Sequence, residues 1–417
     1  MKIYFFLSHP SHQLAVFQLA TKLIRVGIQV SFLGPRIGMD KVNLENVVKN
    51  NGFEFIVLPI LGDQDWEEHS EELAGYNFIN NLIDSKLYVD FFANKLPDLV
   101  ILDIFYMPLC IILRQLSVKF VLASTILLSD KGPKTLPLDC PFIHDTEDNT
   151  SKVWESLVIQ KENEFGEYIA LLREIAVLNK FDFDSYFYWE KSIVPFGFKF
   201  PEVIFWDKEF DFPREERELK DKYYLGNQVY IDAVQINGPS IESFRQDIFY
   251  VSFGSKESTL NDHKDEFIKK ILILASRLPE YCFICNVSKK YLSKYNKEEH
   301  SNVVLMNYCP QIEILKKAKL MLTHAGGSVK ECLRFAVPMI CYPIDNDQFG
   351  VANRVVFHGV GKKGDFLNDS VDQIYSDIIE IIGSRTIKQN LLIWQQRAID
   401  DELKMNDVEL ILKLIND

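Results

Sequence analysis

The sequence predicts an α/β protein built from two doubly wound domains, each a parallel sheet wrapped by helices. Three observations carry that prediction. Short apolar runs alternate with amphipathic helical stretches through residue 123; the same alternation restarts after a polar stretch at 237–247; and 417 residues are enough for two such units.

The elements follow in order. Ile3 to Leu7 reads as a first strand, its apolar run being shorter than the ~7 residues that a signal peptide core needs. A helical stretch follows with Leu14, Phe17, Leu23 and Ile24 on one face, stopped by Gly27. Ile28 to Leu33 is the second strand, Asp40 to Lys49 a helical segment, and Phe53 to Leu58 the third strand after Gly52. "PDLVILD" (97–103) is a strand, followed by a helix to Leu116 and a strand from Lys119 to Ala123.

Two segments, about 60–95 and 130–215, break the rhythm and are rich in aromatics, including Trp66, Tyr76, Phe78, Tyr88, Phe91, Phe92, Trp154 and the run Phe181 to Trp189. Packing of irregular segments explains such residues more simply than a ligand pocket does, so none is assigned a ligand. The expected division is a first domain at 1–235, a linker at 236–247, a second domain at 248–385, and a helical tail at 386–417 that crosses back to brace the first domain. In the second domain, apolar runs near 281–287, 303–306, 319–323 and 339–342 alternate with helical patterns near 262–277, 311–317, 327–336 and 348–358.

Charge excludes some partners. A net charge of -13 opposes sequence-independent attraction to nucleic acid or to an anionic bilayer. The most apolar later stretch, Leu99 to Leu116, is interrupted by Asp103, Pro108 and Arg114, so no membrane span is expected. Seven scattered cysteines fit reduced thiols and a cytoplasmic location. Cys282 and Cys285, the one C-x-x-C, lie on a strand where residues three apart face opposite sides, which suits buried thiols better than a metal site.

Function concentrates in "MLTHAGGSVKECLRF" (321–335). A strand ends at Thr323 and a helix begins near Gly327, so "HAGGS" is a strand-to-helix turn at the carboxyl edge of a parallel sheet. There small residues let backbone approach an anion, and the N–H groups of the first helical turn favour phosphate. His324 and Ser328 could add hydrogen bonds, and Glu331, about two turns up, could accept from ribose hydroxyls. Taken alone, the same glycines and serine also suit an ordinary turn and helix cap.

The longer segment 307–361 resembles the donor-binding signature of the UDP-glycosyltransferase family (glycosyltransferase family 1), which includes macrolide, plant secondary-product and animal glucuronosyl enzymes. Tyr308, Pro310, Gln311, Thr323, His324, Gly326, Ser328, Glu331, Val337, Pro338, Pro343, Asp347 and Gln348 fall in register with it. "YVSFGS" (250–255) resembles the family's first strand and phosphate loop of the second domain. The resemblance implies a GT-B fold, two Rossmann-like domains facing across a cleft, and a nucleotide sugar as co-substrate.

It also implies roles. Tyr308 would stack on the base, with Cys309 and Gln311 in the same turn; His324, Gly326, Gly327, Ser328 and Ser255 would hold the diphosphate; Glu331 would grip the ribose. Asp347 and Gln348 would bind the transferred sugar, the glutamine resembling glucose users. Departures are a phosphate loop one residue shorter than the family's, Tyr308 where tryptophan is usual, and Val351 where asparagine is common. The second of these leaves UDP and TDP sugars both open.

"SHQLAVFQLATKL" (11–23) resembles the family's G-H-x-x-P helix start, with Ala15 in place of proline. His12 stands at the catalytic base position and Asp103, ending "LVILD", at that of its partner acid. A helix N-terminus disfavours a positive ring, leaving an imidazole that can accept a proton. His9, three residues earlier, is the rival base.

The expected reaction is inverting transfer of a hexose to a hydroxyl of a small, largely apolar acceptor. Helix N–H groups would stabilise the leaving diphosphate, so no metal is expected and no bound cofactor. The D-x-D pairs Asp63/Asp65, Asp182/Asp184 and Asp345/Asp347 carry little weight among 59 acidic residues. Two other classes stay open: a lipid-linked sugar transferase at a membrane surface, and a non-catalytic nucleotide-binding partner protein.

Overall fold

Two parallel sheets organise the chain. The computed structural model describes residues 1–34, 44–58, 85–141, 147–232, 246–254, 261–292 and 301–416. Ser255, Trp66, Tyr76, Phe78, Asp63/Asp65 and the linker up to residue 245 lie outside the described residues.

The first sheet contains β1 (Lys2–Phe6), β2 (Gln29–Gly34), β3 (Glu54–Val57), β4 (Leu99–Asp103) and β5 (Phe120–Ser124). Beyond a small hairpin of β6 (Phe187–Tyr188) and β7 (Gly197–Phe198), it is completed by β8 (Glu202–Ile204) and β9 (Lys222–Tyr224). Its order is β3-β2-β1-β4-β5-β8-β9, every pairing parallel. The second sheet takes β10 (Asp247–Ser252), β11 (Tyr281–Asn286), β12 (Val303–Met306), β13 (Ala318–Thr323), β14 (Met339–Cys341) and β15 (Gly361–Lys363). It runs β12-β11-β10-β13-β14-β15, also parallel throughout.

In each sheet the strand order reverses once, between β1 and β4 in the first and between β10 and β13 in the second. Loops leaving the two central strands diverge there, opening a crevice at the carboxyl edge. The strands are nearly continuous apolar runs because both faces are covered. Cys282 packs with the core on one face of the second sheet and Cys285 with the core on the other. All seven cysteines are free and buried.

The structure revises the sequence reading at two points. In the helix Pro10–Arg25, Leu14 and Ile24 are exposed, and the buried stripe is Val16, Phe17, Ala20 and Leu23. That i, i+1, i+4, i+7 set keeps Phe17 and Leu23 of the expected face but is rotated away from Leu14 and Ile24, because the core lies toward β2 and Phe53. The segment read as irregular also holds one 32-residue helix, Glu147–Leu178. Trp154, Lys161, Ile169, Leu172, Ile175 and Ala176 form its buried side. A lysine within that side blurred the apolar period: Lys161 caps the carbonyl of Val194 at 2.6 Å with its stem packed inside.

Carboxyl edge meets carboxyl edge across the domains. Leu138, in the loop after β5, accepts a 2.7 Å bond from the N–H of Gly350, in the helix Gln348–Phe357 after β14. Gly350 is there because a side chain would strike the Leu138 backbone. Phe205, just past β8, accepts a 3.0 Å bond from Lys330 in the helix Ser328–Phe335 after β13.

The chain end returns to the first domain. In the helix Asn406–Asn416, Val408, Ile411 and Ile415 join the core beneath the helix Pro10–Arg25. Lys22 there binds Asp407 at 2.8 Å and the carbonyl of Lys404 at 2.7 Å. Among the described residues no helix is long and apolar enough to cross a membrane.

Candidate active site

The crevice of the first sheet holds His12 and Asp103. β1 and β4 pair in register, Phe6 beside Leu102, so the chain leaving β1 enters its helix alongside the acid that ends β4. Asp103 is fully buried; its Oδ2 faces His12 Nδ1 at 2.7 Å and accepts from Ser8 Oγ at 2.8 Å and Ser8 N at 3.0 Å. Its Oδ1 accepts from Phe105 N at 3.1 Å.

Burial alone would push this carboxyl up. The facing His12, with the Ser8 and Phe105 N–H groups, outweighs it and holds the carboxyl below its ordinary value. An ionised Asp103 accepts only, so a neutral His12 donates from Nδ1 and keeps its lone pair on Nε2. Sequence reasoning missed Ser8, although it lies one helical turn before His12. Its Oγ is 3.2 Å from His12 Nδ1, so it steadies both partners. His9 caps the helix instead, its Nδ1 accepting from Ser11 N at 3.3 Å, and Asp103 pairs with His12 alone of the two.

The second crevice holds the glycine-rich turn. β10 and β13 pair with Ser252 beside Thr323, bringing Gly254 and His324 together. The His324 ring fills the space both glycines leave open: a Cβ on Gly254 would lie 3.0 Å from it, and one on Gly326 2.6 Å from Nε2. Burial, assisted by the Lys264 charge, draws His324 down to about 4, leaving a neutral ring at physiological pH.

Ala325 turns the chain at φ 67°, a left-handed conformation costly for a residue with a Cβ. The Ala325 N–H bonds to Thr323 Oγ1 at 3.2 Å, and the same oxygen lies 2.8 Å from Ser328 Oγ. Ser328 Oγ is thus spent on the turn rather than aimed outward. The first helical bonds are those of Val329 N to Gly326 O and Lys330 N to Gly327 O, so the N–H groups of Gly327 and Ser328 precede the bonded turn.

Glu331 lies in the first turn of Ser328–Phe335, not two turns up, because the helix starts at Ser328. Gln311 Nε2 donates to its carboxylate, and Gln311 Oε1 accepts from Tyr250 OH at 3.0 Å, so the amide has one orientation. Burial pushes Glu331 up to about 7, partly offset by Gln311 and by the Lys330 charge.

Tyr308 stands half exposed at the end of the chain leaving β12, its ring open to stacking. Cys309 points the other way: its thiol is buried beside Tyr250 and burial pushes it up to about 12, so its side chain offers nothing to a ligand. Gln348 folds onto its own loop. Its Oε1 accepts from Ile344 N at 2.8 Å and Asp345 N at 3.2 Å, while Nε2 donates to Asp345 at 2.6 Å. Asp347 is the cap residue of that helix.

The described D-x-D acids are occupied locally. Asp182 binds Ser185, Asp184 binds Arg173, and Asp345 binds Gln348. Among the described residues no group of three or more His, Cys, Asp and Glu side chains is placed to hold a metal.

Comparison with known proteins bears on the fold and on the sequence around the glycine-rich turn. Residues 227–407 match the model of the family described as UDP-glucoronosyl and UDP-glucosyl transferase. The oleandomycin glycosyltransferase of Streptomyces antibioticus is 25% identical over 289 residues, 69% of this chain and 61% of its own. An uncharacterized UDP-glucosyltransferase of Bacillus subtilis is 24% identical over 222 residues, 51% of this chain and 54% of its own. The chain thus spans between half and two thirds of the length of these relatives. The crystal structure of the glycotransferase of kitacinnamycin superposes with a TM-score of 0.70 over 99% of this chain and 98% of its own, at 15% identity. The two facing Rossmann-like domains are therefore a GT-B fold.

Proposed function

We propose that this chain, whose residues 227–407 match the model of the UDP-glucoronosyl and UDP-glucosyl transferase family, is an inverting glycosyltransferase. In this reading it moves a hexose, glucose first among candidates, from a UDP sugar to a hydroxyl of a small, largely apolar acceptor. The observation that carries the reading is the His12–Asp103 pair at 2.7 Å in one crevice, with the glycine-rich turn in the crevice of the facing edge.

The acceptor hydroxyl gives its proton to His12 Nε2 as its oxygen attacks the anomeric carbon. The nucleoside diphosphate leaves from the opposite face, inverting that carbon. Asp103 stabilises the imidazolium formed, and Ser8 keeps the pair aligned. On the donor side Tyr308 stacks on the base, Glu331 accepts from the ribose, and the N–H groups at Gly327 and Ser328 with the neutral His324 receive the diphosphate. The protein donors meet the developing charge themselves, so the reaction is proposed to run without a metal. Asp347 takes the hexose hydroxyls, while Gln348 holds the loop that presents it.

Titration calorimetry with UDP, UDP-glucose and TDP-glucose in chelator tests the donor half. Micromolar UDP binding supports it; no binding to any of them sinks it. His12→Ala then separates enzyme from binding protein. Donor affinity should stay within about twofold while transfer falls by ~10²–10⁴. A wild-type protein that binds donor and transfers to no hydroxylated acceptor in a broad screen is a binding protein instead.

A further inference from the structure

Lys330 is an unexpected residue for its place. It sits in the first turn of Ser328–Phe335, beside Glu331 and two residues past Ser328, yet it is 3% exposed. Its ammonium crosses to the other domain, donating to the Phe205 carbonyl at 3.0 Å and lying 5.3 Å over the Trp206 ring. The Lys330 carbonyl accepts from Asn227 Nδ2 at 3.2 Å. Trp206 in turn donates from Nε1 to the Thr125 carbonyl at 2.9 Å. Thr125 directly follows β5, whose Ala123 pairs with Asp103.

One run of contacts therefore joins the glycine-rich turn to the strand beside the proposed base. A buried cation facing a carbonyl and an indole has lost most of its hydration, and burial draws its ammonium down to about 8 despite the Glu331 charge. An unbranched apolar residue would fill the same space without that cost, so packing alone does not account for a lysine here.

We infer that Lys330 is a positioning residue, tying the donor-binding helix to the first domain at Phe205–Trp206 so that the bound sugar is held at the attack distance from His12. The inference rests on the transferase reading above and adds to it a residue that touches neither substrate. Its signature is a split. Positioning is felt in turnover, while the donor, held by one domain, binds as before.

The test is Lys330→Met, compared with wild type for donor affinity by calorimetry, kcat and KM with a working acceptor, and thermal midpoint. Expected are a midpoint equal to or above wild type, donor affinity within about twofold, and kcat lower by about tenfold or more. Trp206→Phe keeps a ring under the ammonium and removes the bond to Thr125, and should show the same split if Lys330→Met is poorly soluble. Unchanged kcat in both variants overturns the inference and leaves the transferase reading standing. A fall in kcat that tracks an equal loss of donor affinity or a lowered midpoint also overturns it, since that is a structural role. A wild-type protein that binds donor and never transfers overturns both.

Discussion

Glu331 is where a single residue makes the sharpest claim. Its carboxyl is pushed up to about 7 by burial, so near pH 6 it is largely protonated and near pH 8 largely ionised. In the proposed role ribose hydroxyls donate to the ionised form, so donor binding favours loss of the proton and should tighten as pH rises through 7. UDP-glucose, whose diphosphate does not titrate in this range, should bind several-fold more tightly at pH 8 than at pH 6 by calorimetry. Glu331→Gln should bind more weakly with that pH dependence gone. A pH-independent wild type, or a variant that keeps the slope, would remove Glu331 from the ribose. The acid was visible in the sequence as part of a motif, but its charge state was not, because it depends on burial in the folded crevice and on Gln311, 20 residues earlier in the chain. Cys309 and Gln348 show the same limit: the motif locates the loop, and only the fold says that the thiol faces the core and the amide faces its own backbone.

The turn from Thr323 to Ser328 shows how an element builds a site out of constraints on its neighbours. His324 occupies volume that both Gly254 and Gly326 vacate, so the glycines serve the ring as much as the ligand. Gly326→Ala should therefore act through His324. The new methyl would lie 2.6 Å from Nε2, the ring must swing aside, and a donor to the diphosphate is lost. Calorimetry should show UDP affinity reduced by about tenfold or more, with a thermal midpoint close to wild type because only a side chain has to move. A variant binding like wild type would mean that His324 does not touch the diphosphate. Strand and turn positions were legible here because buried parallel strands read as unbroken apolar runs bounded by small residues. The helix Glu147–Leu178 was not, since its packed side includes Lys161, whose ammonium is satisfied by carbonyls 30 and 33 residues away in sequence.

The contact between domains was the least legible feature, because it is made from charges that a sequence reading assigns to solvent. Arg354 and Asp211 are each 1% exposed and meet at 2.8 Å, the guanidinium also lying 4.3 Å from the Phe212 ring. Asp211 further accepts from Arg214 at 3.3 Å and Tyr224 at 2.6 Å. Burial would raise its carboxyl, but the Arg354 and Arg214 charges prevail and hold it below its ordinary value. Nearby, Arg397 grips Asp207 with two bonds of 2.9 Å, and His358 stacks on Phe210.

The apolar core runs through this junction, so the domains are joined by more than a hinge, and the two crevices are held on a common frame. The two ends of the Asp211–Arg354 pair are not equivalent. Arg354→Met leaves Asp211 with Arg214 and Tyr224, whereas Asp211→Ala strands two buried guanidinium groups without their carboxylate. Asp211→Ala should therefore cost ~3–5 kcal/mol in urea unfolding at pH 7, and Arg354→Met clearly less. The pH dependence checks the cause. A carboxyl lowered in the folded state stabilises above its ordinary value and loses that contribution as pH falls through the folded value. The gap between Asp211→Ala and wild type should then narrow in strong acid. Equal losses from both substitutions, or a gap that persists in acid, would mean that shape at the junction, and not the shared carboxylate, holds the domains together.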